Sequence, residues 1–306
     1  FDKKFQKHGI DPSQIVKKIK DKNIKIFNDF FPPKKSELKD MNIKFNIITS
    51  IAMFYDIDDP NEFVKKIKNY LSEKGIWVFE LSYLVEMIKK NSFDTICHEH
   101  LEYYSLTSIN YLLKKNKLKV IKISQNTING GSIRCFVTHQ ENNAFLNKHN
   151  IKKIKNLLKY ETKNKIGSKK YFINFNLNIL NIKKKLISII QEINKSSKKI
   201  YILGASTKGN TILQYLDINK KMIPFAIERN KNKVGAKTIG SEIKILDEKI
   251  INKKFPDYML VLPWHFRSEI IKREAAYIKR GGSLIFPLPK IQIINKKNMK
   301  FHEKKS

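Results

Sequence analysis

Strand-like and helix-like patterns alternate in two separate stretches of the chain, and this alternation limits the fold more than any other feature. Amphipathic segments at 61–71, 107–115, 211–216 and 268–280, which we predict to be helices, stand between short apolar segments, and the alternation restarts at residue 198. A predicted turn at 73–75 precedes the strand pattern at 76–81. The predicted strands are 24–27, 45–49, 76–81, 118–124, 132–139, 200–203, 224–227, 258–262 and 283–286. Strands that alternate with helices are typical of parallel sheets with crossover connections. The sequence therefore predicts an α/β protein with two α/β units.

The region between the two stretches has a different periodicity. It is rich in Lys and Asn, contains no proline, and places apolar residues such as Ile179, Ile182, Leu186 and Ile190 at helical spacing. We predict one or two linking helices; a partly disordered spacer is the alternative. The predicted organisation is a first domain over 1–144, a helical linker over 145–198 and a second domain over 199–306.

The densest acid–base cluster is Cys-His-Glu-His at residues 97–100. The ordinary pKa of His lies near neutrality, so its ring can accept and release a proton there. In an extended segment His98 and His100 would lie on one side and Glu99 on the other. We interpret the cluster as a general acid–base site. A solvated surface loop and a transition-metal pair are the alternatives, although no further nearby Cys or His would complete a metal site.

A glycine turn, Gly-Ala-Ser-Thr-Lys-Gly at 204–209, follows a predicted strand and precedes a helix, and Glu228 closes the next strand. This context is similar to a dinucleotide-binding fingerprint, but Ser206 replaces the middle glycine. A P-loop would have a lysine where Asn210 stands. A helix N-terminus with Thr207 and Lys208 remains, and it can bind an anion. We predict phosphate binding here; a plain strand–helix turn is the alternative.

The segment Pro-Trp-His-Phe at 263–266 follows another strand of the same predicted unit. Ligands of open α/β sheets bind at the carboxyl ends of the strands. We therefore predict that His265 and Arg267 line a binding crevice. An aromatic plug on a loop is the alternative.

The net charge of +33 invites a nucleic-acid function, but its composition argues against one. The chain has 56 Lys and only 5 Arg, and the Lys residues are spread along its whole length. Proteins that recognise base edges and phosphates use bidentate hydrogen bonds from the guanidinium group of Arg, which Lys cannot make. We expect no nucleic-acid partner, although the charge would attract a phosphate-bearing substrate.

Other whole-chain features concern the compartment and the extent of the sequence. Two cysteines, Cys97 and Cys135, cannot form a disulfide framework, so we expect a reducing cytoplasm. No run of about 18 apolar residues occurs, so we expect no membrane span. Because residue 1 is Phe rather than Met, we expect the sequence to be a fragment.

Taken together, these segments resemble the sugar C-methyltransferases, which use S-adenosylmethionine and act on nucleotide-linked keto-sugars. The resemblance depends on motifs in a fixed order: Gly-Ile-Asp-Pro-Ser at 9–13, Met-Phe-Tyr-Asp-Ile-Asp-Asp at 53–59, His-Glu-His-Leu at 98–101, Asn-Gly-Gly-Ser at 129–132, the turn at 204–210 and Leu-Pro-Trp-His-Phe at 262–266. It implies a class I methyltransferase (Rossmann-like) domain followed by a second Rossmann-like α/β domain that binds substrate. It also implies that the first strand, the Gly-rich cofactor loop and a zinc-binding N-terminal domain would precede residue 1, so we expect zinc only there.

The resemblance also implies roles for individual residues. Asp11 would bind the ribose hydroxyls of S-adenosylmethionine, and Asn28 or Asp29 would lie near the adenine. His100 would be the base that removes the proton next to the ketone, while Glu99 and His98 orient the base or the sugar. The implied substrate contacts are Asn129, Ser132, Arg134, Thr207, Lys208, Glu228 and His265.

The chain departs from the resembled pattern at two positions. Cys97 stands where relatives carry Tyr, and Asp56 stands where they carry His. Because that Tyr is itself a candidate base, its loss favours His100. Two other functions are left open: an NAD(P)-dependent oxidoreductase built on 204–228, and a truncated nucleotide-sugar-binding protein without activity. The expected partner in the favoured interpretation is a nucleotide-linked sugar.

Overall fold

The computed structural model describes residues 5–252 and 255–299, and within them the chain forms twelve strands and eight α-helices. The strands are β1 (Lys7–Ile10), β2 (Ile24–Phe27), β3 (Phe45–Ile51), β4 (Leu71–Ser82), β5 (Leu118–Asn126), β6 (Ser132–His139), β7 (Ile200–Leu203), β8 (Phe225–Glu228), β9 (Lys244–Asp247), β10 (Tyr258–Val261), β11 (Ser283–Phe286) and β12 (Gln292–Ile294). The helices are α1 (Pro60–Tyr70), α2 (Leu84–Lys89), α3 (Leu106–Lys115), α4 (Lys148–Lys163), α5 (Lys169–Lys195), α6 (Thr207–Tyr215), α7 (Arg267–Arg273) and α8 (Ala275–Lys279). The α/β class predicted from the sequence is confirmed.

The chain divides into two compact units that interleave along the sequence. The first unit contains the described residues of 1–81, 106–124 and 134–158. The second unit contains 82–105, 125–133 and the described residues of 159–306. The His-Glu-His segment and the glycines at 130 and 131 thus belong to the second unit.

Two sheets contain the first six strands. β1 and β2 form a parallel pair, and a second sheet has the order β3-β4-β6-β5, in which β3 and β4 are parallel. The register of β3 and β4 changes from Phe45–Leu71 to Ile47–Ile76. Residues 73–75, predicted as a turn before the strand, therefore lie within β4 at an irregularity of the pairing.

Aromatic side chains form the centre of the first unit. Phe54, Phe63, Trp77 and Phe79 are each at most 2% exposed, and the Trp77 and Phe79 ring centroids are 4.5 Å apart. Offset aromatic packing at such distances adds to the stability gained from burial. Helix α1 presents Phe63 to this cluster, and it starts at Pro60, within one residue of the predicted start. The carboxylate of the preceding Asp59 accepts a hydrogen bond from the Glu62 amide.

The sheet of the second unit has the order β12-β11-β10-β7-β8-β9, and all its pairs are parallel except β11 with β12. The chain leaves β7 towards β8 on one side and returns to β10 on the other. The strand order therefore reverses between β7 and β10. A crevice forms at such a switch point, outside the carboxyl ends of the two strands. The loops that begin at Gly204 and at Leu262 lie there.

Helix α5 supplies much of the core of the second unit. Ile179, Ile182, Leu186 and Ile190 are buried in one cluster with the strands of the six-stranded sheet. The helical spacing over 145–198 is confirmed by α4 and α5. The cluster also contains Leu84, Met87, Ile88 and Phe93.

Two helices differ from the predicted limits. α6 begins at Thr207, within the segment predicted as a turn, because the Ser206 hydroxyl caps it by accepting from the Gly209 amide. The helix predicted over 268–280 is divided at Glu274 into α7 and α8. A search of the described residues found no helix with the length and apolarity needed to cross a membrane.

Candidate active site

The His-Glu-His segment forms a turn rather than an extended strand, and the His100 amide donates to the Cys97 carbonyl at 3.1 Å. The turn separates the two rings. The His98 side chain is 82% exposed and Glu99 is also exposed, with 3.9 Å between His98 Nε2 and Glu99 Oε1. His100 is half-buried. Of the three predicted acid–base residues, His100 is therefore the one that the fold holds in place.

A backbone carbonyl fixes the tautomer of His100. His100 Nδ1 lies 2.8 Å from the Thr95 carbonyl oxygen, which can only accept, so Nδ1 carries the hydrogen. The neutral ring then has its basic lone pair on Nε2. Burial lowers the His100 pKa and the Lys208 charge lowers it further, outweighing the opposing effects of the Thr95 carbonyl and Glu99. The ring is thus a neutral base at pH 7.

A buried carboxylate, absent from the sequence-based prediction, lies next to Thr95. Asp94 is 1% exposed, and its Oδ2 accepts a 2.8 Å hydrogen bond from Trp264 Nε1. Asp94 Oδ1 has no hydrogen-bond partner among the described residues. Burial raises the Asp94 pKa to about 6, although the indole N–H and the Lys208 charge act in the opposite direction. No local pattern reveals this site, because Asp94 and Trp264 are 170 residues apart.

Lys208, in the first turn of α6, has a half-buried side chain whose Nζ lies 3.5 Å from the Asn129 carbonyl oxygen. Burial lowers the Lys208 pKa, while Asp94 and Cys97 act to raise it. The pKa of His265 falls to about 4, mainly through burial and then through the Lys208 charge. The second unit therefore brings together Lys208, Asn129 and His265, all predicted from the sequence. Thr207 is exposed at the first position of α6.

The glycine loop before β6 packs against Trp264. Asn129 and Gly130 have positive φ angles of 54° and 90°, and a Cβ on Gly130 would lie 3.4 Å from the indole ring. A larger residue would thus be strained by this backbone conformation and would contact the indole. Ser132 is buried, and its hydroxyl donates to the Ile128 carbonyl at 2.9 Å. Ser132 closes the loop that holds Asn129 beside Lys208.

Three backbone amides donate hydrogen bonds to the Glu228 carboxylate. Its Oε2 accepts from the Ala205 amide at 2.8 Å, and its Oε1 accepts from the amides of Arg229 and Asn230. Burial acts to raise the Glu228 pKa, but these amides and Lys233 lower it overall. In a dinucleotide-binding domain the carboxylate at this position would bind a ribose, but here backbone amides already donate to it. The geometry therefore favours a structural role for Glu228.

The predicted cofactor residues lie in the first unit, at the carboxyl ends of β1 and β2. The Asn28 side-chain amide donates to the carbonyl oxygens of Asp11 and Ser13, at 2.9 and 3.1 Å. Asp11 is exposed, and its Oδ1 accepts from the Ser13 amide at 2.7 Å. Hydrogen bonds from Ser13 hold the Asp11 pKa below its usual value. The structure thus presents an ionised carboxylate at a strand end, and its two oxygens can accept hydrogen bonds from two adjacent ribose hydroxyls.

The other predicted residues of the first unit have partners within the chain. Asp29 is buried, and backbone amides of residues 30 and 34–36 donate to its carboxylate and hold its pKa far below the usual range. Arg134 Nε donates to Glu80 Oε2 at 2.7 Å. Among the described residues, no group of three or more His, Cys, Asp or Glu side chains could hold a metal ion.

Comparison with known proteins gives matches over both parts of the chain. The profile of the C-methyltransferase C-terminal domain matches residues 127–289, and that of a methyltransferase domain matches 2–123. The C-methyltransferase NovU of Streptomyces niveus is 28% identical over 243 residues. These cover 79% of this chain and 57% of NovU, so the chain spans little more than half the length of this relative.

Solved structures also match over part of the chain. An S-adenosylmethionine-dependent methyltransferase from Clostridium acetobutylicum covers 43% of this chain and 74% of its own, with 14% identity and a TM-score of 0.34. The plantazolicin methyltransferase BpumL, in complex with a triazolic desmethylPZN analog and SAH, covers 44% and 68%, with 12% identity and a TM-score of 0.35.

Proposed function

The chain belongs to the family defined by the C-methyltransferase C-terminal domain, and from this premise we propose that it methylates a carbon atom of a nucleotide-linked keto-sugar with S-adenosylmethionine as cofactor. The observation that carries the proposal is the state of His100. Its half-buried ring donates from Nδ1 to the Thr95 carbonyl, and its pKa is lowered, so the neutral ring carries its basic lone pair on Nε2. The cytoplasmic location expected from the cysteine usage belongs to the same proposal.

Methylation of carbon needs a carbon nucleophile, and a ketone makes one available. A proton on the carbon next to the carbonyl is removable because the enolate places its negative charge on oxygen. In the proposed step His100 Nε2 takes that proton, the C–H electron pair forms a carbon–carbon double bond, and the carbonyl electrons move to oxygen. A base whose pKa is near the working pH suits this transfer. The bound cofactor supplies an electrophilic methyl group.

Asp11 and Asn28 would hold the cofactor. The exposed Asp11 carboxylate can accept from both ribose hydroxyls, and the Asn28 amide fixes the backbone around Asp11. Asp29 organises the following loop through backbone amides, so we expect it to shape the adenine site rather than to bind the base.

On the substrate side, Thr207 at the start of α6 supports binding of the diphosphate, because N–H groups at a helix N-terminus attract anions. Asn129 and His265 are expected to line the sugar site. The polar side-chain atoms of Ser132 and Glu228 have partners within the second unit, so we expect these residues to support the site from behind. Arg134 is paired with Glu80 within the first unit, so we expect it to hold that carboxylate.

The His100→Asn variant tests the proposal. Asn keeps much of the side-chain volume but cannot accept the proton, so we expect exchange of the proton next to the ketone to fall by about 10²–10⁴-fold. Exchange is measured by NMR in deuterium oxide with a dTDP-linked 4-ketohexose as probe, and methyl transfer is measured alongside. Binding of the sugar nucleotide should change far less, because proton transfer matters only in the transition state.

Two further variants make the result specific. His149→Asn makes the same change at an exposed position on α4 and should leave exchange normal. His98→Asn compares the two rings of the turn, and we expect the smaller loss there because His98 is 82% exposed. Normal exchange in His100→Asn would show that His100 is not the base.

A further inference from the structure

The Lys208 ammonium group lies away from the exposed start of α6, where a phosphate ligand would bind. Phosphate binding at a helix start would place the ammonium near the exposed Thr207. Instead Nζ lies 3.5 Å from the Asn129 carbonyl, and the side chain is half-buried. Among the described residues this long contact is its one hydrogen bond, whereas an ammonium has three donors. Lys208 therefore has capacity for a ligand oxygen on the inner side of the α6 terminus.

A buried negative group accompanies this ammonium. Asp94 Oδ2 accepts a hydrogen bond from Trp264 Nε1, while Asp94 Oδ1 is buried without a hydrogen-bond partner among the described residues. The charges of Asp94 and Lys208 influence each other, so each favours the ionised form of the other. Asp94 is therefore the counter-charge that keeps a half-buried lysine protonated.

The same ammonium acts on the proposed base. Helix α6, which carries Lys208, packs against residues 93–95, and the Thr95 carbonyl of that turn binds His100 Nδ1. The Lys208 charge is the second cause, after burial, of the lowered His100 pKa. In a ketone, the carbon that loses the proton and the carbonyl oxygen are separated by a single carbon atom. A base acting on that carbon must therefore have the carbonyl oxygen close by, and a cation near the base is well placed to receive it.

We propose that Lys208 is a catalytic residue that donates a hydrogen bond to the ketone oxygen and stabilises the negative charge formed there when His100 removes the neighbouring proton. This inference rests on the proposed function and reassigns Lys208 from the diphosphate to the reacting end of the sugar. The proton moves from carbon to His100 Nε2, the electron pair moves towards the carbonyl oxygen, and Lys208 keeps its own proton. Asp94 is a positioning residue that holds the charge of Lys208 in place.

The kinetic test compares Lys208→Met with the unaltered protein, using the dTDP-linked 4-ketohexose as probe. Loss of one donor to a developing oxyanion typically costs about 10²–10³ in rate, so exchange at saturating sugar should fall by that factor. Affinity for dTDP, measured by calorimetry, should change less than about threefold, since a 1.4 kcal/mol contact would already give tenfold. Lys208→Arg keeps a cation and should recover part of the exchange rate. Lys272→Met removes an exposed lysine of α7 and should leave both quantities unchanged.

A second measurement needs no catalysis. NMR titration of the His100 ring should give a higher pKa in Lys208→Met than in the unaltered protein, and the same pKa in Lys272→Met. Glu99 and the Thr95 carbonyl, which also act on this ring, are the same in both variants. The comparison therefore reports the effect of removing Lys208 on the His100 pKa.

The outcomes separate this inference from the proposed function. Absence of exchange in the unaltered protein with the probe, beyond a protein-free control, would overturn both. Normal exchange in Lys208→Met, with dTDP affinity more than tenfold weaker, would assign Lys208 to the diphosphate and overturn the inference alone. An unchanged His100 pKa in a folded Lys208→Met protein would also overturn it. If Lys208→Met does not fold, Lys208→Gln replaces it in both measurements, with the same criteria.

Discussion

At the scale of single residues, burial acts in opposite directions on the two ionisable groups on either side of Thr95. It raises the pKa of Asp94 to about 6 and lowers that of His100, so in both cases it favours the neutral form. Lys208 opposes burial at Asp94 and reinforces it at His100. A single cation thus favours the ionised form of the carboxylate and the neutral form of the imidazole.

The Asp94 pKa gives a prediction about stability. Because the folded-state value is raised to about 6, Asp94 contributes stability below pH 4 that is lost as the pH rises through 6. A pKa difference of this size between the folded and unfolded protein corresponds to about 3 kcal/mol. We expect Asp94→Asn to remove this dependence. The measurement is the difference in free energy of unfolding in urea between the unaltered protein and Asp94→Asn, at pH 4.5 and 7.5. An equal difference at both pH values would contradict the raised pKa.

The lowered His100 pKa predicts the acid side of the rate profile. The base must be unprotonated, so kcat/KM should rise with pH through a midpoint below the ordinary His value of about 6.5. The profile measured for the dTDP-linked 4-ketohexose checks this. A limb with a midpoint above 7 would argue that His100 is not the group that titrates.

At the scale of secondary-structure elements, α5 shows how well helical spacing in the sequence predicts which side chains are buried. The helix buries Ile179, Ile182, Leu186, Ile190 and Ile193, all predicted from periodicity, and also Phe175, whereas Ile189, predicted with them, is half-buried. The same helix leaves Leu177 and Leu180 exposed on other faces. Helix α5 therefore contains both buried and exposed leucines, so substitutions of the two kinds can be compared within one helix.

Two substitutions on α5 test its part in the core. Leu186 is fully buried, so Leu186→Ala should lower the free energy of unfolding by about 2–5 kcal/mol. Leu177 is 51% exposed, and Leu177→Ala should change the free energy of unfolding by less than about 0.5 kcal/mol. Urea unfolding followed by circular dichroism measures both. Similar losses in the two variants would mean that α5 is not packed as described.

The sequence predicts most elements and fewer of the contacts at the site. The strand patterns at 24–27, 200–203 and 283–286 are confirmed, because apolar runs of that length report burial directly. The early start of α6 is missed, because it depends on the Ser206 side-chain cap. Asp94 is missed, because its partner Trp264 is distant in sequence. Periodicity is a local signal, whereas pairing of polar groups depends on tertiary structure.

At the scale of the whole molecule, the two units are not successive stretches of sequence. Residues 82–105 and 125–133 lie in the first half of the chain but belong to the unit that contains the six-stranded sheet. Leu84, Met87 and Phe93 share the core of that unit with α5. The turn that carries His100 is thus held by the second unit, although the methyltransferase domain profile over 2–123 includes it.

This arrangement predicts a pattern of hydrogen exchange. Amides of α2 should become exposed together with those of β7 and β10, because cooperative opening follows shared cores. Amides of α3, in the first unit, should follow those of β3. Native-state exchange at increasing, sub-denaturing guanidinium, read by mass spectrometry, tests the grouping. Opening of α2 with α3 would show that the sequence neighbours form one unit instead.

The interleaving has a consequence for the order in which a ribosome completes the protein. Asn91 donates a hydrogen bond to the Pro289 carbonyl, and Asp94 accepts one from Trp264, so residues 91–94 are synthesised nearly two hundred positions before their last partner. At about 5–20 residues per second, this delay is roughly 10–40 s. The turn that presents the proposed base therefore takes its final form only after residue 289 has been synthesised. A chain interrupted before residue 264 would carry His100 without the indole that anchors the neighbouring carboxylate.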